Sequence, residues 1–299
     1  MPTSATSGAA HSLFLGEPAA RPRGVFGPII ASRGPKDAYS SPAGMRRRPW
    51  LARLRRALEE DLFVLHYQPI VSLRDDRVCH YEALIRLADE PAGALVAPGR
   101  FLPAAERYGL ISEIDRMVLA KVIALLAEPC SAVELEDPGV TVAINVSALS
   151  VTDESMLRHL ERQLTLHGVE PSRLIIEVTE TAAISDMEQA RNFCAGVEAL
   201  GCAVALDDFG AGFGSFRYLK HLPFSYLKID GDFIRGMPGS RTDQLVVKAL
   251  VGVVRGMGRR TIAEFVGDQP TLEMLRSYGV DYAQGFQVGR PQPLRARTV

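Results

Sequence analysis

Carboxylates stand near the ends of several short apolar segments of this sequence, and their number raises the first question about its chemistry. The segment VALDDFG, residues 204 to 210, ends in two adjacent aspartates, Asp207 and Asp208. Three other apolar segments carry a glutamate within them: Glu82, Glu177 and Glu264. Burying neighbouring carboxylates is costly unless they are protonated or offset by cations. Five carboxylates on four segments therefore predict either protonated acids or a metal centre.

The available ligand atoms favour a hard divalent ion over zinc. Carboxylate oxygens, together with the amide oxygen of Asn145, suit Mg²⁺ or Mn²⁺. The six histidines form no HxxxH or HExxH pattern and the four cysteines form no CxxC pair, so zinc sites of these types are not indicated. A two-metal centre needs one carboxylate shared by both ions. We expect Asp207 to bridge the two ions and Asp208 to serve one of them.

The elements that must position these groups are short strands alternating with helices. Eight segments have the pattern of strands: FVLHYQPIV, CHYEALIRL, VTVAINVSA, LIIEVTE, AVALDDF, YLKID, TIAEFV and YAQGF. Helical patterns such as DMEQARNFCAGVEALG separate most of them, but only SLRDDR separates the first two, which suits a hairpin. This order predicts an α/β fold, a modified TIM-type (β/α)₈ barrel with an antiparallel first strand.

The polar residues of these strands fall in their C-terminal parts, the end at which barrels of this type build active sites. Besides the carboxylates they include Asn145, Lys228, Gln284 and Arg86. Arg86 shares one face of the second strand with Glu82 and the apolar Leu84. Each has a structural alternative: a strand-end aspartate can cap a helix, and Lys228 and Asp230 can form one buried salt bridge. The convergence of all of them predicts a functional site.

The N-terminal region differs in composition from the rest. Residues 1–48 are rich in Ala, Ser, Gly, Pro and Arg and predict a disordered tail, with one domain over 49–299. The following segment, WLARLRRALEEDLF, predicts a basic amphipathic helix that packs on the domain, with a membrane surface or a partner protein as the alternative. No apolar stretch is long enough for a membrane span, and no secretory signal is evident. The net charge of −1 does not indicate nucleic acid binding, and we expect a cytoplasmic protein.

The conjunction of segments resembles the EAL-domain family of cyclic di-GMP phosphodiesterases. The resemblance is carried by YQPIV, YEALIRL, FLPAAERYGLISEID, INVS, IIEVTET, LDDFGAGFGSFRYLKHLPFSYLKID, AEFV and AQGFQVGRP, and it spans about residues 50 to 294. It implies hydrolysis of cyclic di-GMP to linear pGpG by metal-activated water on a modified TIM barrel. It further implies two Mg²⁺ or Mn²⁺ ions as cofactors, a homodimer, and a possible regulatory protein partner.

The resemblance also implies a role for each residue that matches a family motif. Glu82, Asn145, Glu177 and Asp207 would hold one ion, and Asp207, Asp208 and Glu264 the other. Gln68, Leu84 and Arg86 would contact the substrate, and Glu180 would position the loop after Asp208. The implied catalytic residues are Lys228, Glu82, Asp207, Asp208 and Gln284. Lys228 would either remove a proton from the attacking water or orient it, and removal requires a pKa lowered by the ions and burial.

Two motifs depart from the family pattern and leave an alternative function open. The family's AEGVET is AEFVGD here, with Gly267 in place of a glutamate, and DDFGTGYSSL is DDFGAGFGSF, with Ala211, Phe213 and Gly214 altered. The alternative is a cyclic di-GMP receptor or protein-interaction module with weak catalysis. Two other patterns are disfavoured: GAGFGS lacks the third glycine of a dinucleotide-binding fingerprint, and DFG lacks its kinase companions.

Overall fold

A computed structural model describes residues 50–88, 94–128, 139–210 and 216–294. Within these ranges eight strands close into a barrel in sequence order. They are β1 (Phe63–Ser72), β2 (Val78–Leu87), β3 (Thr141–Val146), β4 (Leu174–Thr179), β5 (Ala203–Phe209), β6 (Tyr226–Ile229), β7 (Arg260–Ala263) and β8 (Tyr282–Gln284). Strand β1 runs antiparallel to both of its neighbours, β2 and β8, and the other neighbouring pairs are parallel. The predicted barrel with an antiparallel first strand is confirmed.

Helices connect the parallel strands on the outside of the barrel. They are α1 (Trp50–Glu59), α2 (Leu102–Arg107), α3 (Ile111–Ala127), α4 (Ala148–Val151), α5 (Glu154–His167), α6 (Glu180–Ser185), α7 (Met187–Ala199), α8 (Phe216–His221), α9 (Gly231–Gly236), α10 (Arg241–Gly256) and α11 (Gln269–Tyr278). Short 3₁₀ turns cover Pro98–Arg100 and Pro171–Arg173. Several helices begin at a side chain that accepts a backbone N–H, as Thr179 does for α6 and Ser240 for α10, because such caps satisfy donors that the helix itself cannot.

The hairpin predicted between the first two strands is present. Residue Gln68 on β1 lies opposite Glu82 on β2, so the register of the hairpin alone brings two predicted site residues side by side. Beyond the hairpin, β2 pairs in parallel with β3, which places the C-terminal end of β2 at the same barrel opening as the ends of the other parallel strands. The antiparallel β1 therefore completes the barrel without displacing that opening.

Alternation along the strands separates an apolar layer from a polar one. Apart from the main core between sheet and helices, two smaller apolar clusters contain Ala143, Ile175, Ala205, Ile70, Ile262 and Tyr282, with Tyr226 packed against both. Each residue of the parallel strands in this group stands two positions before a polar one, as Ile175 does before Glu177. Residues two apart share one strand face. The same faces therefore present apolar side chains first and polar side chains at the C-terminal opening.

The amphipathic helix α1 packs on the barrel domain. Leu54 and Ala57 are buried, and Trp50, Leu51 and Leu58 are partly buried against the core. Among the helices described by the structure, none has the length and apolar character needed to cross a bilayer. The predicted disordered tail, residues 1–48, lies outside the described residues and stays a prediction.

Candidate active site

A buried lysine stands at the centre of the polar layer. The side chain of Lys228, on β6, is inaccessible to solvent. Its Nζ lies 2.8 Å from Glu177 Oε2, 2.9 Å from Glu264 Oε1, 3.0 Å from Asp207 Oδ1 and 3.6 Å from Glu82 Oε2. Glu82 lies in the middle of β2, Glu177 and Asp207 lie toward the ends of β4 and β5, and Glu264 follows β7. Closure of the barrel brings these four acidic side chains around one ammonium group.

The cluster carries more negative than positive charge. Burial by itself lowers the pKa of Lys228, but the carboxylates, Asp207 and Glu177 foremost, outweigh it and hold that pKa well above its usual value. Burial raises the pKa of Glu177 and of Glu264 well above the usual range, against the opposing effect of Lys228. One ammonium group thus offsets only part of the acidic charge, and the rest requires bound protons or additional cations.

The two adjacent aspartates reach the same cluster because the backbone leaves its regular geometry between them. Neighbouring strand residues ordinarily point to opposite faces. Asp208 has φ 54°, and the pairing of β5 with β6 is irregular between Leu206 and Phe209. One carboxylate oxygen from each of Asp207, Asp208 and Glu264 consequently lies within 4.8 Å of the others. Asp208 keeps contact with solvent. Partial desolvation of its carboxylate by the surrounding protein, followed by repulsion from Asp207, raises its pKa to about 6.

Amide side chains hold Glu82 on the other side of the cluster. Asn145 Nδ2 donates to Glu82 Oε1 at 2.6 Å, and Gln284 Nε2 donates to Glu82 Oε2 at 2.5 Å. Burial raises the pKa of Glu82, but Lys228 and the two amides outweigh it and lower that pKa. Glu82 is therefore ionised at neutral pH. Because Asn145 donates through its nitrogen, its oxygen remains available as an acceptor.

Several oxygen atoms of the cluster are buried without a hydrogen bond. Among the described residues, Glu177 Oε1, Glu264 Oε2 and Gln284 Oε1 have no hydrogen-bond partner. Buried acceptors in folded proteins are nearly always satisfied. Unpartnered carboxylate and amide oxygens beside Asp207 and Asp208 make a donor set suited to hard divalent cations. The residues present therefore fit a metal centre.

The residues expected to contact a substrate surround this cluster. Gln68 donates to the carbonyl of Gly289 at 3.0 Å and accepts from Gln284 at 3.2 Å, so it is tied to the end of β8. Leu84 and Arg86 follow Glu82 along β2 at two-residue spacing, and both are half-buried. Arg86 donates to the neighbouring carbonyl of Ile85 at 2.9 Å. Gln68 is thus joined to the acidic cluster through Gln284, which also bonds to Glu82. Leu84 and Arg86 follow Glu82 on β2 and lie closer to the barrel opening.

Comparison with known proteins identifies the family. The profile of the EAL domain matches residues 51–291. The chain belongs to the EAL-domain family. It is 37% identical over 246 residues to the cyclic di-GMP phosphodiesterase PdeB of Shewanella oneidensis, an alignment that covers 82% of this chain and 28% of that protein. In general the chain spans about a third of the length of the first curated relatives it matches.

Solved structures of EAL domains superpose closely on this one. The PaMucR phosphodiesterase in complex with c-di-GMP has a TM-score of 0.75 at 36% identity, over 82% of this chain and 97% of the other. The FimX EAL domain of Pseudomonas aeruginosa, bound to c-di-GMP, has a TM-score of 0.74 at 32% identity, over 81% and 96%. The structural similarity therefore extends over nearly the whole of both solved EAL domains.

Glu180 links the EAL-domain site to the loop that follows Asp208. It is the first residue of α6, it is buried, and its Oε2 accepts the backbone N–H of Gly210 at 3.2 Å. Three of the altered family positions, Ala211, Phe213 and Gly214, lie outside the described residues. The fourth, Gly267, has open space where a side chain would stand, the nearest contact being 3.9 Å away.

Two features of the site were not anticipated from the sequence. The alternative salt bridge between Lys228 and Asp230 is wrong, because Asp230 caps α9 and accepts the N–H of Asp232 at 2.7 Å. Phe265 occupies the third position of AEFVGD, where the family pattern has glycine, and it has φ 53°, a conformation rare for a bulky residue. Its half-exposed ring lies under the guanidinium of Arg235 at 4.6 Å. The sequence could have revealed this feature, because AEFVGD has a phenylalanine where the family pattern has glycine.

Proposed function

We propose that this EAL domain hydrolyses cyclic di-GMP to linear pGpG with the help of two Mg²⁺ or Mn²⁺ ions. The observation that carries the proposal is the cluster of four carboxylates around Lys228, with buried oxygens that lack partners. Family membership and relatives named as cyclic di-GMP phosphodiesterases support the substrate. Structurally similar EAL domains solved with c-di-GMP bound also support this ligand.

The ligand residues divide into two sets that share one member. Glu82, Asn145, Glu177 and Asp207 would hold one ion, and Asp207, Asp208 and Glu264 the other. When bound, the ions would lower the pKa of a water molecule and offset the negative charge that develops at phosphorus. The chain positions the ligands in advance, because Glu82 is held by two amides and three other carboxylate oxygens lie within about 3 Å of one ammonium.

Lys228 serves as a donor in this arrangement. An ammonium group has three N–H bonds and no acceptor, and three carboxylates lie within 3.0 Å of Nζ. In the absence of ions these three carboxylates take up the three N–H bonds. A carboxylate that turns to a bound ion would free an N–H of Lys228 to donate to a water. We infer that Lys228 orients the attacking water rather than removing its proton.

The barrel opening offers contacts for both the phosphates and the bases of the substrate. Arg86 provides a positive charge for a phosphodiester. Leu84 precedes it by two residues on β2, and Gln68 lies opposite Glu82 on β1. The exposed rings of Phe265 and Phe286 directly follow segments that carry Glu264 and Gln284. Nucleic acid bases stack on exposed aromatic side chains. We propose that these two rings contact the guanine bases.

A second candidate function is cyclic di-GMP binding without efficient turnover. The altered motif AEFVGD favours it, because Phe265 holds an unfavourable backbone conformation beside Glu264 and Gly267 removes a carboxylate. The solved FimX EAL domain is bound to c-di-GMP, which supports ligand binding as a function of this fold. In that case the ligand contacts would be the same and the rate of hydrolysis would differ.

One experiment distinguishes the two functions. Purified protein is incubated with cyclic di-GMP and Mg²⁺ or Mn²⁺, and the products are separated by ion-pair chromatography, with excess EDTA as the control. We expect pGpG with metal and none with EDTA. Measurable binding without pGpG in either metal would favour the receptor, and the absence of both binding and product would refute both functions.

A further inference from the structure

One buried carboxylate outside the acidic cluster belongs to the segment FLPAAERYGLISEID, to which the proposed chemistry assigns no role. Asp115 is on α3 and is only 8% exposed. Burial raises the pKa of its carboxyl group, and hydrogen bonds from Ser147 and Ser150 oppose that shift. Burying a carboxylate is unfavourable unless its hydrogen bonds are well made. The partners of Asp115 therefore indicate what it is for.

Those partners belong to the turn that follows β3. The backbone N–H of Ser147 donates to Asp115 Oδ2 at 3.0 Å, and the Ser150 hydroxyl donates to the same oxygen at 2.7 Å. Ser150 is fully buried. The Ser147 side chain in turn caps the short helix α4. One carboxylate oxygen on α3 thus anchors both the start and the first turn of α4.

This turn begins where the sheet stops supporting the backbone. The last residue of β3 paired with β4 is Val146, and Ser147 is the first residue beyond the pairing. Beyond the end of its pairing with β4, the chain finds another acceptor: the Ser147 N–H donates to Asp115 Oδ2. Asn145 lies two residues earlier, is exposed, and is itself held by a hydrogen bond to Glu82. The direction of the backbone after Asn145 therefore decides where its amide group stands.

We propose that Asp115 is a positioning residue: by anchoring the turn after β3 it keeps the Asn145 amide against Glu82 and directed at the proposed first ion. This inference rests on the proposed function for the role of the ion. Removing a residue that orients a metal ligand without contacting the ion typically weakens metal affinity by about 10- to 100-fold. Asp115 would act in this way through the backbone, without touching the ion.

The test compares variants that keep or remove the acceptor. Asp115→Ala leaves the Ser147 N–H and the Ser150 hydroxyl without it, whereas Asp115→Asn can place its amide oxygen where both bonds converge. Ser240→Ala removes the cap of α10, remote in the sequence, and controls for a general loss of stability. Mn²⁺ binding to the substrate-free protein is titrated by electron paramagnetic resonance. The kcat and KM values, and hydrogen exchange over residues 141–152, are measured in parallel.

We expect Asp115→Ala to weaken Mn²⁺ binding about tenfold, to lower kcat more than it raises KM, and to accelerate exchange over the turn. Asp115→Asn and Ser240→Ala should stay within about twofold of wild type in Mn²⁺ affinity. If Asp115→Ala does not fold, Ser150→Ala removes one of the two bonds and should show a smaller loss in the same direction.

The inference and the proposed function fail in different ways. A wild-type protein that binds Mn²⁺ and hydrolyses cyclic di-GMP, with Asp115→Ala folded and unchanged in both, would overturn the role of Asp115 alone. Equal losses in Asp115→Ala, Asp115→Asn and Ser240→Ala would also overturn it, since they would reflect stability. A wild-type protein that neither binds Mn²⁺ nor hydrolyses cyclic di-GMP would overturn the proposed function, and with it the link of Asp115 to the ion.

Discussion

Replacing Lys228 by methionine removes the ammonium group that lies among the four carboxylates while nearly preserving the shape of the side chain. Three of the carboxylate oxygens are within 3.0 Å of Nζ. Each such contact corresponds to roughly 5 kcal/mol of gross attraction at an effective dielectric constant of about 20. Burial of the ammonium offsets much of this, and breaking a buried pair typically costs about 3–5 kcal/mol. We expect Lys228→Met to lose about that much stability in EDTA at neutral pH.

The loss should depend on pH in a defined direction. Burial raises the native pKa of Glu177 and Glu264 well above the usual glutamate value, so the folded protein keeps protons that the unfolded chain has already released. Stability therefore falls as the pH rises from the unfolded value through the raised native one. Without Lys228 these native pKa values rise further, because its attraction no longer opposes burial. The variant should be least stable relative to wild type at alkaline pH.

Urea denaturation in EDTA at about pH 5.5 and about pH 8 measures this difference. The matched control is Lys121→Met, which removes a pair with the exposed Asp61 and a hydrogen bond to the Phe63 carbonyl. Such contacts contribute about 1 kcal/mol each. Loss of stability in Lys228→Met no greater than in Lys121→Met would refute the reasoning. So would a loss that is the same at both pH values, because the charge of the carboxylates would then not be its cause.

The remaining predictions concern His80, which packs against Tyr226 and Tyr282 of the apolar layer inside the barrel, the metal site and the altered motifs. Burial lowers the pKa of His80 to about 4, so on acidification the unfolded chain takes up a proton before the folded protein does. About 3 kcal/mol of stability should therefore be lost between about pH 6.5 and pH 4. Urea titrations should show that His80→Phe removes this pH dependence. Glu82→Ala should abolish formation of pGpG, whereas Glu106→Ala, at an exposed glutamate, should not; wild-type turnover in Glu82→Ala would place the chemistry elsewhere. The double variant Gly267→Glu and Gly214→Ser restores the family residues and should raise kcat more than it changes KM. The reason is that glycine has more backbone freedom to lose than serine, and ordering one residue costs roughly 1 kcal/mol. An unchanged kcat would show that these departures are neutral.

The order and direction of the strands could be predicted from the sequence because they depend on local patterns. Short β-branched segments between helical ones indicate parallel crossovers, and a six-residue connection between the first two strands is too short for anything but a hairpin. The same reasoning placed the polar residues at one opening, since parallel strands end at the same side of a barrel. The altered glycines at 214 and 267 were also visible, although their effect on the rate is not a property of the pattern.

The charge arrangement inside the opening was decided only by the tertiary structure. Sequence proximity suggested a salt bridge between Lys228 and Asp230. In the structure the side chain of Lys228 instead contacts carboxylates from four other strand segments, and Asp230 caps a helix. Strict alternation would direct Asp208 away from Asp207, and only the positive φ at Asp208 brings both to Glu264. Periodicity determines which face a side chain occupies, whereas distances between faces depend on barrel closure and on local backbone irregularities that no spacing in the sequence encodes.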